Sequence, residues 1–207
     1  MAESGLESLP VLAVLLSGGG RTLGNLIERS HTGKLSARVG VVVSSVADAG
    51  GLDIARAAGI PASAIVRNEF ASDALYSDAV FATIAPYRPA LVILAGFLRK
   101  IVVPPAWEGR ILNIHPALLP EMAFASGRGF YGDRVHRAVL ESGATISGAT
   151  VHLVDNGYDT GPVFMQQRVP VEPGDTAESL GKRVFAAETE LYPRAIDAYL
   201  QELAVGR

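Results

Sequence analysis

The chain has 207 residues, of which 49% are apolar and 19% charged, and its formal net charge is −3. This length and apolar content exclude an intrinsically disordered chain and allow one domain with a substantial core. With no cysteine and only four histidines, disulfides, cysteine-ligated metal centres and thiol nucleophiles are excluded, and no metal site is expected. Any chemistry must come from His, Asp, Glu, Asn, Arg or backbone amides.

The basic residues are scattered along the sequence and form no run or stripe. Nucleic acid is therefore not an expected partner. The N-terminus lacks the basic and apolar regions of a secretory signal. The longest apolar stretches, Val11–Leu16 and Ala90–Leu98, are about half as long as a membrane-spanning helix. We therefore expect no membrane association and a cytoplasmic location.

The first half of the chain alternates apolar, β-branched runs with segments of helical periodicity. Strands are predicted at Val11–Ser17, Val39–Ser44, Ala64–Val66, Ala90–Ala95 and Ile111–Ile114, and helices at Thr22–Arg29, Gly51–Ala58 and Asp73–Ile84. Such alternation indicates βαβ units and a parallel sheet.

The second half has a different pattern. A helix is predicted at Val135–Leu140, followed by strands at Thr145–Val154 and Val163–Pro170. The loop between those strands favours an antiparallel hairpin. Asp175 and Glu178 match a capping box at the start of a last helix that runs to about Leu200.

The predicted fold is a single-domain, Rossmann-like α/β structure. Its sheet is mostly parallel and twisted, with helices on both faces and an antiparallel hairpin in the C-terminal half. The domain is expected to span residues 1–207, with a short N-terminal extension over about residues 1–9 that need not be ordered.

A glycine-rich loop, Gly18–Gly24, follows the first predicted strand and opens the first helix. Glycines let a backbone approach a ligand closely, and helix-terminal N–H groups attract anions. The loop is not a dinucleotide fingerprint, because Leu23 stands where a third glycine is needed, and Asn25 replaces the lysine of a P-loop. It predicts phosphate or carboxylate binding, with a ligand-free turn as the alternative.

Asn113 and His115 are two residues apart in a predicted strand and so share one face. They lie at the carboxyl end of that strand, where open α/β sheets bind ligands. The spacing alone leaves a catalytic pair and a hydrogen-bonded core pair equally open.

The remaining polar candidates are weaker. Asp159 lies in the hairpin loop, where an aspartate usually serves only the turn. His152 is in mid-strand and favours a structural role, His31 ends a helix at the surface, and His136 is undecided. The glycine-rich segment 124–133 is interpreted as a mobile flap near the Asn113 and His115 pair, or else as a plain surface excursion.

Four motifs together resemble one family, from about Val11 to Leu200. They are Ser17-Gly-Gly-Gly20, Leu94-Ala-Gly-Phe-Leu-Arg99, Leu112-Asn-Ile-His-Pro-Ala-Leu-Leu-Pro120, and Thr150-Val-His-Leu-Val-Asp with the downstream Asp159-Thr-Gly-Pro. This pattern resembles the phosphoribosylglycinamide formyltransferases, folate-dependent enzymes of purine biosynthesis. The resemblance implies transfer of a formyl group from 10-formyltetrahydrofolate to the amine of glycinamide ribonucleotide. It implies no metal or prosthetic group, small-molecule partners only, and a monomer or homodimer.

The resemblance also implies roles for matching residues. The catalytic set is Asn113, His115 and Asp159, where Asn113 donates to the oxyanion and Asp159 favours the imidazolium form of His115 as a proton donor. The phosphate-binding set is Gly19, Gly20, Arg21 and Thr22, and Glu188 lies near the acceptor. The folate-binding set is Leu98, Arg99, Lys100, Ile101, Asn113 and Asp155.

The chain departs from the family pattern in three places. Arg21 to Asn25 differ from the usual residues after the loop glycine. Asp73 stands where family members carry an arginine that contacts the folate tail, so that contact is expected to be lost. The chain is longer after Pro120, and Gly129–Gly132 resembles the turn of a subset of members.

Other functions stay open at this point. A formyltetrahydrofolate enzyme could use a sugar amine, methionyl-tRNA or water as acceptor, and the altered loop with Asp73 could have shifted the acceptor. The tRNA acceptor is disfavoured because neither an RNA-binding domain nor a basic patch is predicted. The hydrolase is disfavoured because no regulatory domain is predicted before Val11. A non-catalytic, Rossmann-like nucleotide-binding domain is disfavoured by the missing fingerprint.

Overall fold

The computed structural model describes residues 8–206. The predicted N-terminal extension therefore lies outside the described residues, except for Ser8 and Leu9. The chain forms two compact units: the first runs to Leu112 and takes in the residues from Ile196 onward, and the second comprises Asn113–Ala195.

The first unit alternates strands and helices as the periodicity predicts. It contains β1 (Val11–Leu16), α1 (Arg21–His31), β2 (Arg38–Ser44), α2 (Gly50–Ala57), β3 (Ala62–Ala64), α3 (Asp73–Ile84), β4 (Leu91–Leu94) and the first two residues of β5 (Ile111–His115). Strand β1 pairs in parallel with both β2 and β4, and β2 pairs in parallel with β3. Residues 12–16 of β1 are buried, as expected of a strand that has a neighbour on each side.

The second unit is built on a hairpin. It contains the end of β5, then α4 (Asp133–Glu141), β6 (Ile146–Leu153), β7 (Val163–Pro170) and most of α5 (Ala177–Val205). Strands β6 and β7 are antiparallel, with Ile146 opposite Pro170 and His152 opposite Val163. Residues from α4 and α5, including Val139, Leu180 and Val184, are fully buried.

The sheet has the strand order β3-β2-β1-β4-β5-β6-β7. The predicted fold class, an α/β structure with a mostly parallel sheet and a C-terminal antiparallel hairpin, is confirmed. Among residues 8–206, no helix is both long enough and apolar enough to cross a membrane.

Two local predictions are wrong. Strand β3 covers Ala62–Ala64 rather than 64–66, because its pairing with Val42–Ser44 of β2 sets its ends and a three-residue apolar run cannot.

The predicted box of Asp175 with Glu178 is replaced by reciprocal bonds one residue later. The Ser179 N–H donates to Thr176 Oγ1 at 3.1 Å, and the Thr176 N–H donates to Ser179 Oγ at 2.9 Å.

The structure also explains why Asp175 does not cap the helix with Glu178. The carboxylate of Asp175 accepts hydrogen bonds from the guanidinium of Arg183 at 2.7 and 3.1 Å and from the Ser179 hydroxyl at 2.7 Å, so both of its oxygens are engaged. Glu178 instead pairs with Lys182 on the exposed side of α5.

The two remaining histidines have different environments. His31 is the exposed last residue of α1, as its sequence position predicts. His136, which the sequence left undecided, is buried in α4 with its ring against Gly181 of α5. Burial lowers the pKa of His136, although the nearby Asp133 acts to raise it.

Candidate active site

Four polar side chains meet within the second unit. The amide Nδ2 of Asn113 lies 3.3 Å from Oδ1 of Asp159 and 3.1 Å from Nε2 of His152. The Nδ1 atom of His115 lies 3.6 Å from Oδ2 of Asp159, and Nε2 of His152 lies 3.6 Å from Oδ1 of the same carboxylate. Asp159 is therefore the common neighbour of the other three.

Strand alternation puts Asn113 and His115 on the same side of β5. Both side chains reach the carboxylate of Asp159, whereas the intervening Ile114 is buried in the apolar core. The structure thus brings together the three residues to which the resemblance gives catalytic roles.

His152 is also a member of this cluster, although its position in mid-strand predicts a structural role. A usable signal was available: Thr150 and His152 lie on the same face of β6, because they are two residues apart in a strand. Two buried polar side chains on one face of a strand indicate a polar site rather than an isolated core histidine.

The backbone carbonyls beside His115 and His152 show which ring nitrogen of each histidine carries the proton. A carbonyl oxygen only accepts, so His115 donates Nε2–H to Ala125 O at 2.9 Å, and His152 donates Nδ1–H to Leu153 O at 2.8 Å. In its neutral form, His152 then accepts from Asn113 through Nε2. Both amide hydrogens of Asn113 are engaged, one by His152 and one by Asp159.

The segment predicted as a flap is bonded to this cluster. In addition to Ala125 O, which accepts from His115, the Gly127 N–H donates to Oδ2 of Asp159 at 3.0 Å. Earlier in the same connection, Thr150 Oγ1 donates to Ala117 O at 2.7 Å and accepts from Leu119 N at 3.0 Å. The β5–α4 connection is therefore held at its start by β6.

Burial and charge set opposite protonation tendencies in the cluster. Burial lowers the pKa of His115 below its ordinary 6.5, and the neighbouring Asp159 carboxylate and Ala125 carbonyl offset only part of that effect. Burial acts to raise the pKa of Asp159, but the adjacent side chains of His152 and His115 and the Gly127 N–H outweigh it and lower the pKa. The resting state at neutral pH is a neutral His115 beside an ionised Asp159.

This protonation state differs from the one that the resemblance implies, which is a His115 imidazolium acting as a proton donor. Asp159 acts in the expected direction, because it favours the charged form of His115. The cost of burying that charge is larger, so His115 is ready to accept a proton rather than already charged.

The glycine loop predicted to bind phosphate connects β1 to α1. Gly20 has φ +77° and precedes Arg21, the first residue of α1. A Cβ at Gly20 would collide with the backbone of Gly51 at the start of α2, so Gly20 is required by its conformation and by this close approach. Gly18 and Gly19 are exposed, and a Cβ at either would meet nothing.

The segment predicted to contact folate is joined to this loop through Ser17. The Leu98 N–H donates to Ser17 Oγ at 2.8 Å, and Ser17 Oγ also lies 2.7 Å from Ser45 Oγ. Within the segment, Leu98 and Arg99 are exposed, Lys100 is half-buried and Ile101 is buried. The structure thus brings two predicted substrate-binding segments of the first unit together.

Asp73, which replaces a family arginine, is itself paired with an arginine. The Nε–H of Arg67 donates to Asp73 Oδ1 at 2.6 Å, and Nη1 of Arg67 donates to Phe70 O at 2.7 Å. The guanidinium carbon lies 6.0 Å from the ring centroid of Tyr76. Burial raises the pKa of Tyr76 to about 12, and the charges of Arg99 and Arg67 oppose this rise.

Two predicted residues remain. Glu188 lies half-buried in α5, and its role near the acceptor stays a prediction. Asp155 is exposed, and its carboxylate accepts hydrogen bonds from the Gly157 N–H and the Thr160 hydroxyl within its own loop.

In the described part of the chain, no group of three or more His, Cys, Asp or Glu is arranged to hold a metal ion.

Comparisons with known proteins show the family to which this chain belongs. The sequence profile of the family described as formyl transferase matches residues 11–196. The phosphoribosylglycinamide formyltransferase of Escherichia coli is 38% identical over 189 residues, which cover 89% of this chain and 84% of that protein. The chloroplastic phosphoribosylglycinamide formyltransferase of Vigna unguiculata is 41% identical over 95% of this chain, and the chain spans only 62% of its length.

A solved structure supports the same relationship. The glycinamide ribonucleotide transformylase 1 of Symbiobacterium toebii superposes with a TM-score of 0.83 and 37% identity, over 94% of this chain and 89% of that one. The family profile covers nearly the whole chain, and the fold agrees with that of an enzyme whose sequence is more than one-third identical. The chain is therefore a member of the formyl transferase family and an enzyme of that class.

Proposed function

We propose that this enzyme transfers the formyl group of 10-formyltetrahydrofolate to the amine of glycinamide ribonucleotide in purine biosynthesis. The observation that carries the proposal is the cluster in which Asn113, His115 and Asp159 meet, within a chain of the formyl transferase family. Relatives that are named for this acceptor cover most of the chain.

The reaction forms one carbon–nitrogen bond and breaks another. The amine attacks the formyl carbon and gives a tetrahedral intermediate that bears an oxyanion. Collapse of that intermediate releases tetrahydrofolate, whose nitrogen must gain the proton that the attacking amine loses. The enzyme has to stabilise the oxyanion and move this proton.

In the proposed mechanism, Asn113 and His115 divide these two tasks. Asn113 donates an amide N–H to the oxyanion, in exchange for one of its two present contacts, with His152 or with Asp159. Neutral His115 accepts the proton of the attacking amine and returns it to the leaving nitrogen. Asp159 stabilises the imidazolium during that interval.

We propose substrate-binding roles for the other predicted residues. The phosphate of the acceptor binds the Gly19–Thr22 segment, where Gly20 cannot cap α1 with a side chain. Glu188 contacts the acceptor, and Leu98–Ile101 with the loop that begins at Asp155 contacts the folate. The proposed enzyme acts on small molecules in the cytoplasm, without metal or prosthetic group, as a monomer or homodimer.

A spectrophotometric assay of folate product formation tests the acceptor. With 10-formyltetrahydrofolate as donor, we expect turnover with glycinamide ribonucleotide and at least about 10²-fold lower kcat/KM with a sugar amine, methionyl-tRNA or water. Turnover with one of those three acceptors and none with glycinamide ribonucleotide would overturn the proposed function.

Arg67 is expected to support binding of the folate tail, whose glutamate carries carboxylates. Its guanidinium lies beside Tyr76 in the same neighbourhood as Arg99, a residue of the predicted folate segment. We expect Arg67→Ala to raise the KM for the folate about fivefold and to leave kcat within about twofold, as for a partly exposed charge pair.

The matched control is Arg56→Ala, since Arg56 also pairs with an aspartate, Asp53, on the same unit, but its side chain is 57% exposed against 23% for Arg67. The control should change neither constant. An unchanged folate KM in Arg67→Ala would show that no carboxylate of the folate binds there.

A further inference from the structure

The loop that carries Asp159 is held by a hydrogen-bonded clamp, which consists of Asp155, Gly157 and Thr160. Oδ1 of Asp155 accepts from the Gly157 N–H at 2.9 Å and from the Thr160 hydroxyl at 2.8 Å. That hydroxyl also lies 3.0 Å from Oδ2. Both carboxylate oxygens of Asp155 are therefore within hydrogen-bond distance of one side chain of its own loop.

Asp159 needs such support because of its backbone. It has φ +55° and is one of two non-glycine residues with positive φ among those described. Aspartate adopts this left-handed conformation more readily than most residues, but it still requires its surroundings to hold it there. Thr160, which is bonded to Asp155, is the next residue in the chain.

Steric contacts explain why this loop has glycine at two positions. A Cβ at Gly157 would collide with the Thr160 hydroxyl, and a Cβ at Gly161 would collide with the carbonyl oxygen of Leu153. Leu153 in turn donates its N–H to Pro162 O at 3.0 Å. The Thr160 hydroxyl thus occupies the space that a side chain at Gly157 would take, and the loop ends are tied together.

The position of the Asp159 carboxylate depends on this loop. Asp159 lies 3.6 Å from His115 Nδ1 and also accepts from Asn113 and Gly127. A shift of about 1 Å in a catalytic group is enough to cost a large part of the rate. The conformation of residues 155–161 therefore decides whether Asp159 can act on His115.

From these contacts we propose that Asp155 and Thr160 are positioning residues, which hold Asp159 in its left-handed conformation against His115. This assigns the Asp155 side chain to the loop and leaves the proposed folate contact to the rest of that loop, and it assigns a role to Thr160. The inference deepens the proposed function and rests on it for its kinetic readout.

The test compares Thr160→Val, which removes the hydroxyl and keeps the shape, with Thr160→Ser, which keeps the hydroxyl. We expect Thr160→Val to lower kcat about tenfold and to leave the folate KM within about twofold, while Thr160→Ser stays within about twofold of the parent in both. Asp155→Ala should match Thr160→Val, and the double variant should lose no more than either single one, because both remove the same contact.

A second readout does not depend on the acceptor. The imidazole of His115 is titrated by NMR in the free enzyme, and its signal is assigned by its loss in His115→Gln. We expect Thr160→Val to shift this titration to lower pH, because a displaced Asp159 favours the imidazolium less. Thr32→Val, which removes an exposed hydroxyl bonded to backbone at the end of α1, should leave the titration unchanged.

The two readouts separate the outcomes. A rise in folate KM in Asp155→Ala with no effect in Thr160→Val would overturn the clamp and show that Asp155 contacts the folate. An unshifted His115 titration in a folded Thr160→Val variant, judged by an unchanged Tm, would overturn it as well. If the enzyme fails to use glycinamide ribonucleotide while the titration shifts as expected, the acceptor assignment is wrong and the clamp stands.

Discussion

Replacing His115 with alanine is expected to lower kcat by about 10²–10⁴-fold, the range for the loss of a proton-transferring group. His115 is the buried histidine whose Nδ1 faces Asp159, and burial lowers its pKa. In the proposed mechanism, the neutral imidazole accepts the amine proton. The measurement is steady-state turnover with 10-formyltetrahydrofolate and glycinamide ribonucleotide.

Loss of fold has to be separated from loss of chemistry, because His115 is 4% exposed. His115→Gln keeps a side-chain amide that can donate to Ala125 O, so this variant should retain the Tm and still lose turnover. His31→Ala removes an exposed histidine at the end of α1 and should be unaffected. Near-normal turnover in His115→Gln would exclude proton transfer by this residue.

The pH dependence of the parent enzyme distinguishes two roles for His115. If the neutral imidazole is the working form, kcat/KM rises with pH through an apparent pKa below 6.5 and is constant above it, since burial lowers this pKa. If the imidazolium were the working form, kcat/KM would fall as the pH rises through the same value. We expect the first profile.

Asp159→Asn is expected to lower kcat by about 10²-fold or more, because the amide cannot stabilise the imidazolium. Its side-chain oxygen can still accept from the Gly127 N–H, so the flap contact has a replacement. The substitution also removes a charge that raises the pKa of His115. In a plot of residual kcat/KM against pH, the rise at acidic pH (the acidic limb) should therefore lie at lower pH than in the parent.

The control for Asp159→Asn is Glu178→Gln, which removes one negative charge from an exposed pair with Lys182. The control should change neither kcat nor the position of the acidic limb. A variant at Asp159 that retains parental turnover, or an acidic limb that moves to higher pH, would contradict the assigned role.

The sequence predicted the elements that depend on local patterns. The helix at Asp73–Ile84 has the predicted ends, because a serine cap starts it. The strand at Val163–Pro170 also has the predicted ends, because turn residues bound it. Strand β3 was misplaced by two residues, since its ends depend on pairing with β2.

The membership of the site was only partly accessible to pattern reasoning. The Asn-x-His spacing places two side chains on one face, but it cannot show that a loop more than 40 residues later supplies their common neighbour, Asp159. His152 was assigned to the core because a lone histidine in a strand usually is structural. Its contact with Asn113 exists only once β6 has been positioned.

The sequence by itself determined the class of fold, and its lack of cysteine excluded thiol chemistry. The tertiary structure decided the charge state of His115, because burial is a property of the packed chain and outweighs the favourable contact with Asp159. It also decided the contacts of Asp155, whose carboxylate is bonded within its own loop. Burial and loop closure depend on the whole fold and leave no local trace in the sequence.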